Sequence, residues 1–170
     1  GKVVLSAHSG GFKVLAKILK HSGRQVNEVY LFDALYGRTD VYYKWLLDGA
    51  KRDDFKRLVS YYHRPKVEAQ NRVLMGKLKK AAKRGKLKNW KGRGKFPYLH
   101  ERTEGKHSRY ELYYSHAAFI HTRVGHFQLT KKFASLRDCL TSSHLTASGQ
   151  HSWFKNKHKK PRPLERLKVR

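Results

Sequence analysis

The first eleven residues carry the pattern that most constrains the fold. A β-branched apolar run from Val3 to Leu5 passes through small residues into Ser9, and two glycines follow it. The segment after the glycines places apolar side chains at helical spacing. We therefore predict a strand, a sharp turn that carries Ser9, and a helix. The serine hydroxyl on such a turn is lifted off the edge of the sheet, and the helix points its N–H groups toward whatever binds there.

The turn resembles a known catalytic motif. Ala7-His8-Ser9-Gly10-Gly11 is similar to the nucleophile elbow of the α/β-hydrolase superfamily, usually written G-x-S-x-G, with alanine in place of the first glycine. The resemblance implies that Ser9 is a nucleophile and that the N–H of Gly10 helps to bind the oxyanion. Phosphate-binding loops and plain strand-to-helix connections have similar glycine-rich turns, so the motif alone leaves these alternatives open.

The rest of the chain alternates between strand and helix patterns. Residues 26–32 predict a second strand, which ends at Asp33, and residues 57–63 predict a third. Helices are predicted after each of them, and a fourth strand at 109–114 precedes a last helix near 131–143. A strand, helix and strand of these lengths form a parallel pair with a right-handed crossover. We therefore predict an α/β fold, a mostly parallel sheet with flanking helices, similar to that of the α/β-hydrolases.

Asp33 and His126 form a set of three with Ser9. Each follows a predicted strand, and they appear in the order nucleophile, acid, base that the resemblance requires. The resemblance implies that His126 takes the serine proton and that Asp33 orients the histidine. The glycine before His126 and the helix predicted after it are similar to the histidine loop of the family.

Other residues compete for two of these roles. The usual acid position of the family falls one strand later, where Glu68 is the first carboxylate, so Glu68 is the reserve for Asp33. His116 and His121 lie in the same predicted loop as His126. His116 is close to the strand end and His121 has no neighbouring glycine, which favours His126. Each member of the set also has a structural interpretation, because these residue types are common in turns and helix caps.

The resemblance covers residues 2 to about 143 and matches only the second half of the family's fold. The strands that normally precede the nucleophile elbow are missing, together with the loop that supplies a second oxyanion donor. Loss of one such donor commonly lowers the rate by about 10² to 10³, and an uncovered sheet edge is prone to aggregation. The sequence also begins almost directly on a core strand, without a methionine at position 1. We therefore expect a processed or fragmentary chain, in which either a second chain or fragment supplies the missing half of the sheet or other structure covers its edge.

The chain is strongly basic. Its 39 Lys and Arg against 12 Asp and Glu give a formal charge of +27, which indicates a polyanionic partner such as nucleic acid or a cell-wall polymer, or else a generally basic proteome. Ten of the 19 residues from 77 to 95 are basic, so we predict a basic loop or flap within an insertion at about 77–107. Residues 1–150 are predicted to form the hydrolase-like domain, and residues 151–170 a basic, mobile tail. The candidate polyanion-binding residues are Lys77, Lys79, Lys80, Lys83, Arg84, Lys86, Lys88, Lys91, Arg93 and Lys95.

The sequence gives little support for a metal or a cofactor. His116, His121 and His126 are spaced by five residues, which is not the spacing of a helical metal-binding pair, and Cys139 is the single cysteine. We therefore expect no metal, no cofactor and no internal disulfide. No apolar run approaches the ~18 residues of a membrane span, so we expect no transmembrane segment.

These observations predict two alternative functions. The first is a serine hydrolase that cleaves an ester or amide by acyl transfer and acts on or near an anionic polymer or surface; a secreted or periplasmic location would fit it. The second is a catalytically inactive, hydrolase-derived basic protein that binds nucleic acid or belongs to a nucleoprotein assembly. Covalent labelling of Ser9 distinguishes the two.

Overall fold

The computed structural model describes residues 3–87, 108–113, 117–131, 135–141 and 143. The strands are β1 (Val3–His8), β2 (Val26–Phe32), β3 (Arg57–Tyr62), β4 (Ser108–Tyr113) and β5 (Ala117–Thr122). The helices are α1 (Phe12–Ser22), α2 (Thr39–Lys51), α3 (Pro65–Lys83), α4 (Gln128–Lys131) and α5 (Ser135–Thr141), and a single 3₁₀ turn (Ser9–Gly11) joins β1 to α1.

The five strands form one sheet in the order β1-β2-β3-β5-β4. The first four in that order are parallel, and only β4 runs antiparallel, against β5. The register aligns Ala7 with Leu31, Leu31 with Ser60, and Ser60 with Phe119. The prediction of an α/β fold with a mostly parallel sheet and flanking helices is confirmed.

Helices cover both faces of the sheet. One apolar core contains side chains of α1, α2 and α3 packed on the strands, among them Leu15, Leu46 and Leu74. A second core on the opposite face joins Tyr30 and Ile120 of the sheet to buried side chains of the chain that follows β5. The three long helices lie on one face because each right-handed crossover carries the chain to the next strand in the same direction.

The ends of α1 and α3 have local causes. Pro65 occupies the first turn of α3, where its missing N–H costs nothing. Gly23 ends α1, and a Cβ there would lie 2.3 Å from the carbonyl oxygen of Leu19. The indole Nε1 of Trp45 in α2 donates a 3.0 Å hydrogen bond to the carbonyl of Gly23. Glycine therefore allows the end of α1 to pack closely against α2.

Two predictions of local structure are wrong. The predicted loop that carries His121 contains a strand, since residues 117–122 form β5 and His121 lies in it. The basic segment is helical at its start, because α3 continues through Lys83. The rest of the predicted flap, residues 88–107, lies outside the described residues, as do His116 and the predicted tail at 151–170.

Candidate active site

Ser9 occupies a strained turn at the carboxyl end of β1. Its φ of 54° lies in the left-handed region, whereas His8 before it is extended. This conformation is uncommon for a residue other than glycine, and it is the one in which a strand-to-helix turn presents a serine at the edge of a sheet. A Cβ on Gly11 would contact the Cβ of Ala7 at 3.4 Å, so the small residue at position 7 fits the tight turn.

Gly10 follows Ser9 in the 3₁₀ turn. The first N–H groups of a helical turn have no acceptor within the turn, so the Gly10 N–H can donate outward. A Cβ built on Gly10 would meet nothing within 4 Å, which means that open space lies beside this residue. The position predicted for an oxyanion donor is therefore accessible to a ligand.

Asp33 is fully buried at the carboxyl end of β2 and, like Ser9, has a positive φ, 46°. Its own N–H donates to the carbonyl of Tyr61 at 2.8 Å. Its Oδ1 accepts hydrogen bonds from the backbone N–H groups of His63 at 2.9 Å and Arg64 at 3.2 Å. Hydrogen bonds from the chain that follows β3 thus hold the carboxylate in one orientation.

The other oxygen of this carboxylate contacts His126. The distance from Asp33 Oδ2 to His126 Nδ1 is 2.6 Å, and the His126 side chain is only 5% exposed. A carboxylate accepts hydrogen bonds, so the proton lies on Nδ1 and leaves Nε2 of the neutral ring unprotonated. Nε2 can therefore take a proton from a nucleophile, which is the role that the sequence predicts for His126.

The loop that carries His126 is held by its own backbone. It follows β5 directly, and the Oγ1 of Thr122 accepts a 3.0 Å hydrogen bond from the N–H of Val124. The carbonyl of Gly125 accepts from the N–H of Gln128 at 2.8 Å, where α4 begins. Buried Val124 anchors the loop in the second core. The loop therefore returns His126 to the same edge of the sheet as Asp33.

His8 brings His126 next to the Ser9 turn. The Nε2 of His8 donates to the carbonyl oxygen of His126 at 2.9 Å, and the two imidazole rings lie 4.3 Å apart. Phe127 closes the group with an edge-on contact to His126 at 4.9 Å between ring centroids. Ser9 and His126 are both among the described residues, and no direct hydrogen bond joins them. The hydrogen bond between a nucleophile and its base is often long in ligand-free sites and tightens when substrate binds.

The competing residues lie elsewhere. Glu68 is on α3, where its Oε1 pairs with Arg72 at 2.6 Å and its Oε2 lies 3.8 Å from Nε2 of His121. Glu68, the reserve acid, therefore lies near His121, whereas Asp33 contacts His126.

The sequence predictions missed three groups near Asp33 and Arg64. The backbone N–H groups of His63 and Arg64 donate to Asp33, and the phenol oxygen of Tyr36 accepts a hydrogen bond from the Arg64 side chain. Their position could have been found, because residues that follow β2 and β3 lie at the carboxyl edge of a parallel sheet, as Ser9 does.

The described basic candidates lie along the end of α3 and just beyond it. Lys79, Lys80 and Lys83 are exposed on the helix, and Arg84 and Lys86 are exposed after it. Lys77 is partly buried, with its Nζ 6.0 Å from the ring centroid of Tyr43. Lys88, Lys91, Arg93 and Lys95 lie outside the described residues.

Within the described residues, no group of three or more His, Cys, Asp or Glu side chains is arranged to hold a metal ion. The helices in that part of the chain also include none that is long and apolar enough to cross a membrane. Comparisons of the chain with protein-family models, with curated proteins and with solved structures found no match.

Proposed function

We propose that this protein is a serine hydrolase of the α/β-hydrolase type, which cleaves an ester or amide through Ser9, His126 and Asp33. The observation that carries the proposal is the buried contact of 2.6 Å between Asp33 Oδ2 and His126 Nδ1, beside a serine with a φ of 54°. Serine, acid and histidine follow the parallel strands β1, β2 and β5 and come in that order along the chain, as the family pattern requires.

The proposed reaction proceeds in two steps. In the first, Nε2 of His126 takes the hydroxyl proton as Ser9 Oγ attacks the carbonyl carbon, and the same proton is then given to the leaving alcohol or amine. The acyl group remains on Ser9 as an ester. In the second, water gives a proton to His126 and attacks this ester, which releases the acid and restores the serine. Asp33 stabilises the imidazolium that forms in each step.

The oxyanion of each tetrahedral intermediate would form beside the N–H of Gly10. A second donor is supplied in this family by a loop that precedes the elbow strand. β1 lies at an edge of the described sheet, and Val14 and Ile18 of α1 are exposed at 64% and 38%. These features support the proposal that further strands, from a second chain or fragment, pack beside β1 and complete the oxyanion site.

Hydrolysis of 4-nitrophenyl acetate tests the proposal. Ser9→Ala should abolish turnover above the rate in buffer, whereas Ser22→Ala, a matched change of an exposed serine at the end of α1, should leave it unchanged. Circular dichroism of each variant checks that the fold is kept. Turnover that survives Ser9→Ala would contradict the proposal.

A second candidate function is polyanion binding. It is favoured by the exposed Lys79, Lys80, Lys83, Arg84 and Lys86, which lie within eight residues of one another at the end of α3. Each phosphate contact made by such a residue contributes to the dependence of affinity on salt. Replacing Lys79, Lys80 and Lys83 with glutamine should lower the slope of log K against log salt for single-stranded DNA by about 2. An unchanged slope would exclude this surface as the binding site.

A further inference from the structure

Arg64 lies between the carboxylate of the site and the surface. It precedes α3, and its side-chain Nε is 3.7 Å from Asp33 Oδ2, a distance that marks an ion pair rather than a hydrogen bond. Its Nη1 donates to the phenol oxygen of Tyr36 at 3.3 Å. The side chain is 44% exposed. The guanidinium is thus held at the edge of the site with part of its surface open.

Asp33 does not need this guanidinium to satisfy its oxygens. Three other groups already donate to the carboxylate: His126 Nδ1, the N–H of His63 and the backbone N–H of Arg64 itself. A guanidinium has five N–H donors in a planar fork. Among the contacts of the described residues, only the bond to Tyr36 is a hydrogen bond of the Arg64 side chain, so most of its donors remain available.

Tyr36 links Arg64 to the Ser9 turn. Its ring packs against Phe12, with 5.8 Å between centroids, and Phe12 is the first residue of α1 after the turn. A Cβ on Gly37 would also lie only 3.8 Å from the Phe12 ring. The contacts therefore run from the turn through Phe12 and Tyr36 to the guanidinium. Arg64 follows β3 and lies at the same carboxyl edge of the parallel sheet as Ser9.

We infer that Arg64 binds a carboxylate of the substrate, so that the preferred esters or amides carry a negative charge near the scissile bond. This inference rests on the proposed hydrolase function. A guanidinium fork matches a carboxylate with two parallel hydrogen bonds. One arginine balances one negative charge, which fits a carboxylate better than a phosphate dianion. The large positive charge of the chain would raise the rate at which such anions arrive.

Two matched esters test the inference. 4-Nitrophenyl glutarate carries a free carboxylate at the end of its acyl chain, whereas 4-nitrophenyl valerate has an uncharged chain of the same carbon number. Arg64→Gln should raise KM for the glutarate about tenfold relative to KM for the valerate, which corresponds to about 1.4 kcal/mol. Arg64→Lys should give an intermediate KM, because it keeps the charge and loses the fork. Arg24→Gln, which removes an exposed arginine just before β2, should change neither substrate.

An unchanged ratio of the two KM values in Arg64→Gln, with equal losses of kcat for both esters, would overturn the inference, since it would show that Arg64 acts only by positioning Asp33. Binding to Ser9→Ala, measured by calorimetry, separates this inference from the hydrolase proposal. Ser9→Ala should bind the glutarate about tenfold more tightly than Ser9→Ala with Arg64→Gln, whether or not the native chain turns over esters. Equal binding by the two variants would overturn the assignment of Arg64, while absence of turnover by the native chain would overturn the hydrolase proposal.

Discussion

Asp33 and His126 are 93 residues apart in the sequence, yet Asp33 Oδ2 lies 2.6 Å from His126 Nδ1 in a buried contact. Asp33 directly follows β2, and His126 lies in the loop that follows β5. The two strands are separated by β3 in the sheet, and all three are parallel. The pair therefore depends on the whole parallel sheet, and it gives His126 the tautomer that a general base needs.

Asp33→Asn should remove activity through this tautomer. An amide nitrogen at the Oδ2 position would donate to Nδ1 and move the imidazole proton to Nε2, so that His126 could no longer accept the serine proton. We expect kcat to fall by about 10⁴, as it does for the same change in known serine triads. Steady-state kinetics with 4-nitrophenyl acetate measure it, and Asp40→Asn, an exposed change in the first turn of α2, serves as the control. Wild-type kcat in Asp33→Asn would show that this carboxylate does not orient the base.

Ser9→Gly should stabilise the fold while it abolishes activity. The φ of 54° costs a residue with a Cβ about 1–2 kcal/mol, whereas glycine adopts it freely. After the greater flexibility of glycine in the unfolded chain is subtracted, the free energy of unfolding should rise by about 0.5–1 kcal/mol. Urea unfolding measures the change. As a control, Ser22→Gly in the last turn of α1 should instead lower the free energy of unfolding by a similar amount. A loss of stability in Ser9→Gly would mean that the turn is not strained.

A buried charge pair under the second core should make the fold sensitive to the loss of either partner. Glu28 and Arg57 are register partners on β2 and β3, and both are fully buried. Glu28 accepts hydrogen bonds from Tyr30 Oη and, at 2.8 Å, from Ser143 Oγ. Burial lowers the pKa of Arg57, and the negative charge of Glu28 opposes that shift.

Glu28→Leu should therefore lower the free energy of unfolding by about 3–5 kcal/mol, because it leaves the Arg57 charge buried without its counter-charge. The double variant Glu28→Leu with Arg57→Leu should recover much of this loss. Urea unfolding of both singles and the double gives the coupling energy. Arg72→Ala is the control, because it removes an exposed arginine on α3 and breaks its ion pair with Glu68. It should lower the free energy of unfolding by no more than about 0.5 kcal/mol. Additive losses at positions 28 and 57 would contradict the pairing.

The stability of the fold should fall at alkaline pH. Burial raises the pKa of Tyr42, and burial together with Glu28 raises the pKa of Tyr30. Above pH 10 both phenols ionise in the unfolded chain but stay protonated in the native one. Native protein then binds more protons, so stability decreases as the pH rises, by up to about 1.4 kcal/mol per pH unit for each tyrosine.

Tyr42→Phe should reduce this dependence. At neutral pH the substitution should lower the free energy of unfolding by about 1 kcal/mol, since the phenol donates a 3.2 Å hydrogen bond to the carbonyl of Phe12. Above pH 10 its stability should fall less steeply than that of the wild type. Unfolding in urea at several pH values between 8 and 11 compares the two slopes, and equal slopes would show that Tyr42 ionises equally easily in the native and unfolded states.

Much of the site could be predicted because its residues follow strands with strong local patterns. β1 and β2 are rich in valine and other apolar residues, glycines mark the turn after Ser9, and Asp33 directly follows a clear strand. The carboxyl ends of parallel strands meet at one edge, so the approximate position of these residues follows from the strand order.

The position of β5 could not be predicted in the same way. Its first residues, Ala117 and Ala118, have low strand propensity, and they fit there because the strand is buried on both faces, where small side chains leave room for packing. β5 also pairs in parallel with β3, a distant segment of the chain, and no local pattern encodes that pairing. The contacts of Arg64 with Asp33 and Tyr36 depend on this tertiary arrangement as well.

The most direct test of the central claim is covalent labelling of the native chain with a fluorophosphonate, followed by intact-mass analysis and peptide mapping. We predict a single adduct on Ser9, which is absent in Ser9→Ala, retained in Ser22→Ala and formed far more slowly in His126→Ala. Wild-type protein that stays unlabelled, or that is labelled equally in Ser9→Ala, would contradict the account.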